Sequence, residues 1–418
     1  MRPNRGAWAL GLLLGLGLLV RLPFLATDYR NSVDVEGYRH WGEAVNTRGI
    51  EAIYDEPGVT YPPLLLYWFG FAASVAEDER ALNALIKLPM VVADLLTAAL
   101  LAWAAGQRAA PEKERSGPLL ACALYLFNPA LWYVSAYWGQ TDAVYTHFLV
   151  GAVLMLAEGH YLPAWVGWTL GLATKLQSIA LLPLLAVVTL RRHGASALLR
   201  GGAVAGVVGA ILAAPWLLAG RMGDLARASL TPSPGPSVVV SAFNGWYLLL
   251  GGQVHNVSSH LRPFGLPVTY QQIGVVLFGA FALLAAILVW RQGARWLALP
   301  AALLGLGLFM LLTEIHERYL FPVLVFVLLA AIRGEGRAAR GWNRRLVLVY
   351  GLLSVTFLFN LVTIAPPPGT LGINLVEAGG ETGFVAALKG LALVAAGVHL
   401  GVMLWLARLM ARGTARDE

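Results

Sequence analysis

Side chains that carry charge or transfer protons are gathered into four clusters in a chain that is otherwise apolar. The clusters lie at Asp34–Tyr67, at Trp138–Asp142, around Lys175 and at Thr313–Arg318. A carboxylate within reach of a hydroxyl acts as a general base, and neighbouring His and Arg side chains bind phosphate oxygens. The residue types therefore indicate activation of a hydroxyl and recognition of a phosphorylated substrate.

The first cluster begins at Asp34 and continues as a helical pattern. Val35, Tyr38 and Trp41 recur on one side, which predicts an amphipathic helix lying at the membrane surface. The structural alternative is that Asp34 caps this helix and that its charged residues form a solvated network. Those charged residues are Glu36, Arg39, His40 and Glu43.

Two clusters interrupt apolar runs. Asp142 follows a predicted kink at Asn128-Pro129, and the structural alternative makes Asp142 a helix N-cap. Lys175 divides the run 161–190, which is too long for one span, so we predict two short helices that meet near Lys175. An ammonium group at that depth is costly unless paired or hydrated, so both function and snorkelling stay open.

The last cluster lies where one predicted span ends and the next begins. His316 and Arg318 would form a clamp for a lipid-linked phosphate, because Arg offers a planar fork of donors. The structural alternative is an i,i+4 ion pair of Glu314 with Arg318.

The composition predicts an integral membrane protein. Of the 418 residues 58% are hydrophobic and 13% charged, which departs from a soluble domain. The net charge is +7, but Lys and Arg lie in short loops between apolar runs, which indicates topology signals and no nucleic-acid partner. The single cysteine, Cys122, excludes an intramolecular disulfide.

The apolar runs predict an all-α membrane protein with about 12 (roughly 11–13) transmembrane helices. We expect one polytopic domain over residues 1–418, in which Leu64 to Ala76 is too short to cross. With the N-terminus in the cytoplasm, the basic loops fall inside and the four clusters face outward. A large first extracytoplasmic loop then covers 27–79, and a second covers 221–270.

Taken in order, the clusters resemble a known family. The motifs are Asp34-Val35-Glu36…Arg39-His40-Trp41, Tyr61-Pro62-Pro63-Leu64, Phe127-Asn128-Pro129…Gln140, Lys175-x-Gln177 and His316-Glu317-Arg318. This order is similar to the endoplasmic-reticulum glucosyltransferases that extend the dolichol-linked N-glycan precursor, and to their bacterial relatives in the GT-C superfamily. Where the eukaryotic enzymes carry His-Glu-Lys this chain has Arg318, and Thr141-Asp142 replaces a Tyr-Asn pair, which leaves the sugar and the acceptor open.

The resemblance implies a GT-C-type bundle whose large first loop carries the catalytic acid, and a donor that is a sugar on a polyprenyl phosphate. It implies that Asp34 is the catalytic base, with Glu36 in reserve. The donor phosphate would be bound by His316, Arg318 and Lys175. The substrate-binding residues would be Arg39, His40, Tyr61, Gln140, Asp142, Gln177 and Glu317.

We therefore predict a membrane glycosyltransferase that moves a hexose from a polyprenyl-phosphate donor to a hydroxyl of a glycan, lipid-linked or protein acceptor. One carboxylate base without a covalent partner favours inversion. The absence of a Gly-x-x-x-x-Gly-Lys motif favours a lipid-linked donor over a nucleotide sugar. The expected location is a bacterial cytoplasmic membrane, with the active site facing outward.

A cofactor and two other classes of function stay open. No cofactor is required, although a divalent cation has candidate ligands, since hard cations bind carboxylates. Those carboxylates are Asp34, Glu36, Asp142 and Glu314. A transporter or flippase of a polyprenyl-linked intermediate is the alternative, although charges at one face rather than the midplane disfavour it. A noncatalytic scaffold leaves the buried polar groups unexplained.

Overall fold

The computed structural model describes residues 5–26, 33–107, 116–230, 237–252, 257–336, 342–364, 366 and 383–414. Within these ranges every regular element is helical, as predicted. The chain divides into an N-terminal unit, Met1–Ser233, and a C-terminal unit, Pro234–Glu418. Several sequence expectations lie outside the described residues. They concern the first part of the first loop (27–32), parts of the second loop (231–236 and 253–256), and the basic loop residues 108–115 and 337–341.

The N-terminal unit carries twelve numbered helices in its described part. They are α1 (Arg5–Leu25), α2 (Val33–Arg48), α3 (Pro63–Val75), α4 (Glu79–Gly106), α5 (Gly117–Leu126), α6 (Pro129–Trp132), α7 (Asp142–Ala157), α8 (Tyr161–Thr174), α9 (Leu182–His193), α10 (Ala195–Leu212), α11 (Ala214–Leu218) and α12 (Met222–Leu230). Two 3-10 turns, Ile50–Asp55 and Leu176–Leu181, and a π-helix, Tyr133–Trp138, lie between them.

The described part of the C-terminal unit carries six numbered helices. They are α13 (Gly245–Leu249), α14 (Tyr270–Arg291), α15 (Ala298–Leu311), α16 (Phe321–Ile332), α17 (Arg344–Ile364) and α18 (Gly383–Thr414), with 3-10 turns at Pro263–Gly265 and Glu317–Leu320. Its core includes His399, whose two ring nitrogens bond to the Phe243 carbonyl and the Thr356 hydroxyl, each at 2.9 Å. A fully buried imidazole is stable there because both nitrogens are satisfied.

Fewer helices than predicted are long enough to cross a membrane alone. Six of the described helices qualify by length and hydropathy, namely α1, α4, α10, α14, α17 and α18. A seventh span results if the pair Gly117–Leu126 and Pro129–Trp138, bent by 45°, counts as one. The predicted number of about 12 spans came from a count of apolar runs. Several of those runs form helices shorter than 18 residues or helices broken by 3-10 turns.

Three local predictions are confirmed. The segment predicted to be too short to span forms α3, which has 13 residues. The long run 161–190 is broken at Lys175, which has extended backbone angles between the end of α8 and a 3-10 turn. Asn128 also marks a kink, since its side chain accepts a hydrogen bond from the Ala130 amide at the start of α6.

Close packing against α3 places α2, the helix that begins the first cluster. The ring of Tyr38 stacks on Phe69 with centroids 4.7 Å apart, and both residues are buried. Gly42 permits this approach, because a Cβ there would lie 2.4 Å from the Phe69 carbonyl oxygen. The apolar side of α2 is therefore fixed, which confirms the predicted amphipathic pattern.

Candidate functional site

Asp34 lies in the first turn of α2 and is held from another part of the N-terminal unit. The helix begins at Val33, so Asp34 is inside its first turn instead of preceding it as a cap. The indole nitrogen of Trp138 donates a hydrogen bond of 3.2 Å to Asp34 Oδ2. The carboxylate is half-buried, and this donor gives it a defined direction.

Trp138 ends the π-helix, an element in which an extra residue per turn redirects side chains. Gly139 follows in a left-handed conformation, with φ 81°, and terminates the turn. Gln140 comes next, and its Oε1 lies 3.4 Å from the Tyr38 hydroxyl. The residues on either side of Gly139 therefore both contact α2.

Tyr38 also joins two residues that the sequence assigned to the substrate. Its hydroxyl lies 2.8 Å from the hydroxyl of Tyr61 and also makes the longer contact of 3.4 Å to Gln140. The rings of Tyr38 and Tyr61 meet edge to face at 5.6 Å. Tyr61 and Gln140 thus share one neighbour, and Tyr38 was not among the predicted site residues.

Lys175 and Asp142 form a buried ion pair. The ammonium nitrogen lies 2.8 Å from Asp142 Oδ2, and the two side chains are 6% and 0% exposed. Lys175 also lies over the Tyr145 ring, 5.6 Å from its centroid. Lys175, predicted to bind the donor phosphate, and Asp142, predicted to bind the substrate, are therefore bound to each other. Gln177 lies half-buried in the following 3-10 turn.

Three buried polar atoms at or next to this pair lack a hydrogen-bond partner within the described part of the chain. Among the described residues, the Gln140 amide nitrogen, the Thr141 hydroxyl and Asp142 Oδ1 are buried without a hydrogen bond. Buried polar atoms are normally satisfied, and exceptions in native structures call for a specific reason. Asp142 is the first residue of α7, and Thr141 occupies the N-cap position that the alternative gave to Asp142.

The charged side of α2 borders a cleft of about 610 Å³. Glu36, Arg39 and His40 line it together with residues from the end of α3 and the start of α4. Arg39 forms an ion pair with Glu79, and His40 Nε2 lies 3.0 Å from Glu56 Oε2. Both residues therefore pair with carboxylates outside α2.

Glu56 was missed by the sequence analysis, although it holds two residues of α2. Its side chain is 5% exposed and pairs with both His40 and Arg48. The 3-10 turn that ends at Asp55 is also held, since Asp55 forms an ion pair with Arg221. The Arg221 hydrogen bond lowers the pKa of Asp55 below its ordinary value, and the Asp55 and Asp224 carboxylates raise the pKa of Arg221.

The C-terminal unit holds the third set of predicted residues. His316 Nδ1 lies 3.4 Å from the Ser241 hydroxyl, and the Glu317 amide lies 3.3 Å from the same oxygen. Arg318 Nη1 is 3.4 Å from Glu317 Oε1, and the guanidinium lies 5.8 Å from the centre of the Tyr319 ring. Glu317 and Arg318 are buried and His316 is half-buried.

No metal centre is evident in the described part of the chain, where no group of three or more His, Cys, Asp or Glu side chains is placed to hold an ion. Of the carboxylates considered as ligands, Asp142 is paired with Lys175. Glu314 accepts from the Ser259 hydroxyl at 2.6 Å.

Comparisons with known proteins agree with this fold. Residues 16–220 match the family model described as GPI transamidase subunit PIG-U, a range that lies within the N-terminal unit. No curated protein sequence matches the chain significantly. The crystal structure of ArnT from Cupriavidus metallidurans, in the apo state, matches with a TM-score of 0.54 and 16% sequence identity, over 98% of this chain and 78% of the ArnT chain. ArnT has the GT-C membrane fold. This chain is likewise a multi-pass integral membrane protein with the GT-C fold.

Proposed function

We propose that this protein is a glycosyltransferase that moves a hexose from a polyprenyl-phosphate donor to an acceptor hydroxyl on the extracytoplasmic side of the membrane. The observation that carries the proposal is the carboxylate of Asp34, held by the Trp138 indole in the first turn of α2. The likeness to ArnT supports a GT-C fold for the chain, and the sequence motifs supply the reaction.

Asp34 acts as the general base in the proposed reaction. It takes the proton of the acceptor hydroxyl, and the hydroxyl oxygen forms a bond to C1 of the donor sugar. The bond between C1 and the phosphate oxygen breaks, and its electron pair leaves with the polyprenyl phosphate. Attack from the face opposite the phosphate inverts C1, as in single-displacement glycosidases.

His316 and Arg318 serve the departing phosphate. The leaving group is a phosphomonoester, which needs charge stabilisation more than protonation. Arg offers two parallel N–H donors to phosphate oxygens, and His adds one more donor. Lys175 is assigned to the same phosphate, and the buried bond to Asp142 orients its ammonium group.

The test is transfer from synthetic polyprenyl-phosphate glucose and mannose to a mixture of lipid-linked and free glycan acceptors, with purified protein in lipid nanodiscs. Asp34→Asn keeps the side-chain shape and removes the base, so transfer should fall by about 10²- to 10⁴-fold. Glu36→Gln is the matched control, because Glu36 lies in the same turn, is exposed and should leave the rate within a few-fold.

Loss of transfer in Glu36→Gln with full activity in Asp34→Asn would assign the base to the reserve residue. A wild-type protein that never consumes either donor would overturn the enzyme proposal.

A second candidate function is a noncatalytic subunit of a membrane complex, which the match to a GPI transamidase subunit favours. On this proposal the chain co-purifies from native membranes with a fixed set of other proteins at constant stoichiometry. Asp34→Asn would then leave the activity of that complex unchanged. Recovery of a free chain that transfers sugar by itself would exclude this candidate.

A further inference from the structure

A lysine on α4 contacts the π-helix that ends at Trp138, and this lysine was not among the predicted residues. Lys87 is completely buried, and its ammonium group donates to the carbonyl oxygens of Phe24 at 3.0 Å and Tyr137 at 3.1 Å. Burying an ammonium group is costly unless its protons are bonded. Through these two carbonyls Lys87 holds the end of α1 and the last turn of the π-helix.

The π-helix is held to α4 at a second point as well. The Ser135 hydroxyl donates to Asp94 Oδ2 at 2.6 Å, and Asp94 also binds Arg21 at 2.8 Å. Lys87 and Asp94 are seven residues apart on α4, which places them on one face of the helix. One face of α4 thus fixes both the middle and the end of the π-helix.

The stem of Lys87 also shapes the turn that follows. A Cβ on Gly139 would lie 3.0 Å from Lys87 Cε and 3.0 Å from Cγ2 of Val35, the neighbour of Asp34. Gly139 is therefore enclosed between α4 and α2. The residue before it, Trp138, holds the carboxylate of Asp34.

We infer that Lys87 is a positioning residue for the transfer reaction, which sets the direction of the Trp138 indole and through it the carboxylate of Asp34. Lys87 acts on the backbone of the π-helix, at the Tyr137 carbonyl. The inference rests on the proposed function for its kinetic consequence, whereas the structural link from Lys87 to Trp138 is independent of any activity. A misplaced base slows the chemical step and leaves donor binding unchanged.

The experiment is a double-mutant cycle in nanodiscs with Lys87→Met, Trp138→Phe and the double variant. Lys87→Met should lower kcat by about 10- to 100-fold with the donor KM unchanged. The double variant should be no slower than Trp138→Phe alone, because both changes remove the same interaction. The matched control is Thr189→Val, which removes a buried hydrogen bond of 3.2 Å from Trp165, between α8 and α9. Thr189→Val should leave kcat unchanged, both in the wild type and when it is combined with Trp138→Phe.

A second measurement needs no activity. In protein labelled with 5-fluorotryptophan, the ¹⁹F signal of Trp138 is assigned by its loss in Trp138→Phe. Lys87→Met should shift or broaden that signal, and Thr189→Val should not. If the wild type transfers no sugar but the shift is seen, the proposed function fails and the structural link stands.

Multiplicative effects of Lys87→Met and Trp138→Phe on kcat, or an unmoved Trp138 signal, would overturn the inference. If Lys87→Met does not fold, Ser135→Ala releases the π-helix from Asp94 and enters the same cycle. Additivity there would equally overturn positioning by α4.

Discussion

The two units differ in how a buried candidate cation is paired with a carboxylate. In the N-terminal unit, ion pairs join separate helices, as with Lys175 and Asp142 at 2.8 Å. In the C-terminal unit, Arg318 lies 3.4 Å from Glu317, its neighbour in the sequence. A pair that joins distant segments supports the helices that carry the proposed base, whereas His316 and Arg318 are the residues proposed to bind the donor phosphate. We therefore expect the N-terminal residues to control stability and kcat, and the C-terminal ones to control donor KM.

The largest effect should come from breaking the buried pair of the N-terminal unit. Lys175→Met leaves the Asp142 carboxylate buried without its partner, which should lower the free energy of unfolding by about 3–5 kcal/mol. The double variant Lys175→Met/Asp142→Leu should regain most of that loss, because it buries no charge. Chemical unfolding in mixed micelles measures both. A double variant as unstable as the single one would show that the pair does not fix the helices.

The second effect concerns the turn between the π-helix and α7. Gly139→Ala adds a Cβ that lies 3.0 Å from atoms of Val35 and Lys87, so kcat should fall by about 100-fold. Gly58→Ala is the matched control, because Gly58 has the same φ of 81° but no atom within 4 Å of the added Cβ. Each variant carries the cost of a left-handed alanine, roughly 1–2 kcal/mol. Equal kcat values for the two would refute the importance of packing at Gly139.

Substitution of a candidate residue in the C-terminal unit should change the KM for the donor. Arg318→Gln removes the charge and the fork of donors, which bind the donor phosphate already before transfer because a phosphodiester is anionic. Charged hydrogen bonds contribute about 1.5–3 kcal/mol, so the donor KM should rise by roughly 10- to 100-fold. Arg227→Gln on α12, where the side chain is 76% exposed, is the control and should change neither parameter. Initial rates over a range of donor concentrations separate the two constants. A fall in kcat with an unchanged KM would remove the contrast between the units.

The sequence predicted those features of the N-terminal unit that depend on local pattern. The spacing of Val35, Tyr38 and Trp41 gave the buried face of α2, and the length of the segment gave the short α3. The break at Lys175 followed from a run too long for one span. These features depend on helix periodicity and bilayer thickness, which act within one segment.

The missed features join segments that are far apart in the sequence. The bond from Trp138 to Asp34 crosses 104 residues, and it depends on a π-helix whose extra residue no periodicity reveals. Lys87 lay within an apolar run, and a charge at such a position was the signal available. The roles of His316 and Arg318 at the donor phosphate stay predictions, and the KM measurement tests them.

The smallest expected effect lies at the surface of the N-terminal unit. Asp55 pairs with Arg221, and that hydrogen bond lowers the pKa of Asp55. A carboxyl group with a lowered folded-state pKa stabilises the fold above its unfolded-state pKa, and the contribution is lost as the pH falls through the folded value. Wild type should therefore unfold at a slightly higher temperature than Asp55→Asn at pH 7, and the difference should close in acid, below about pH 4. Because the pair is exposed to solvent, the difference should also shrink in high salt. If wild type and Asp55→Asn still differ equally in unfolding temperature in acid, Asp55 stabilises the fold through packing and not through its charge. The exposed pair would then no longer serve as the electrostatic counterpart of the buried pair of Lys175 and Asp142.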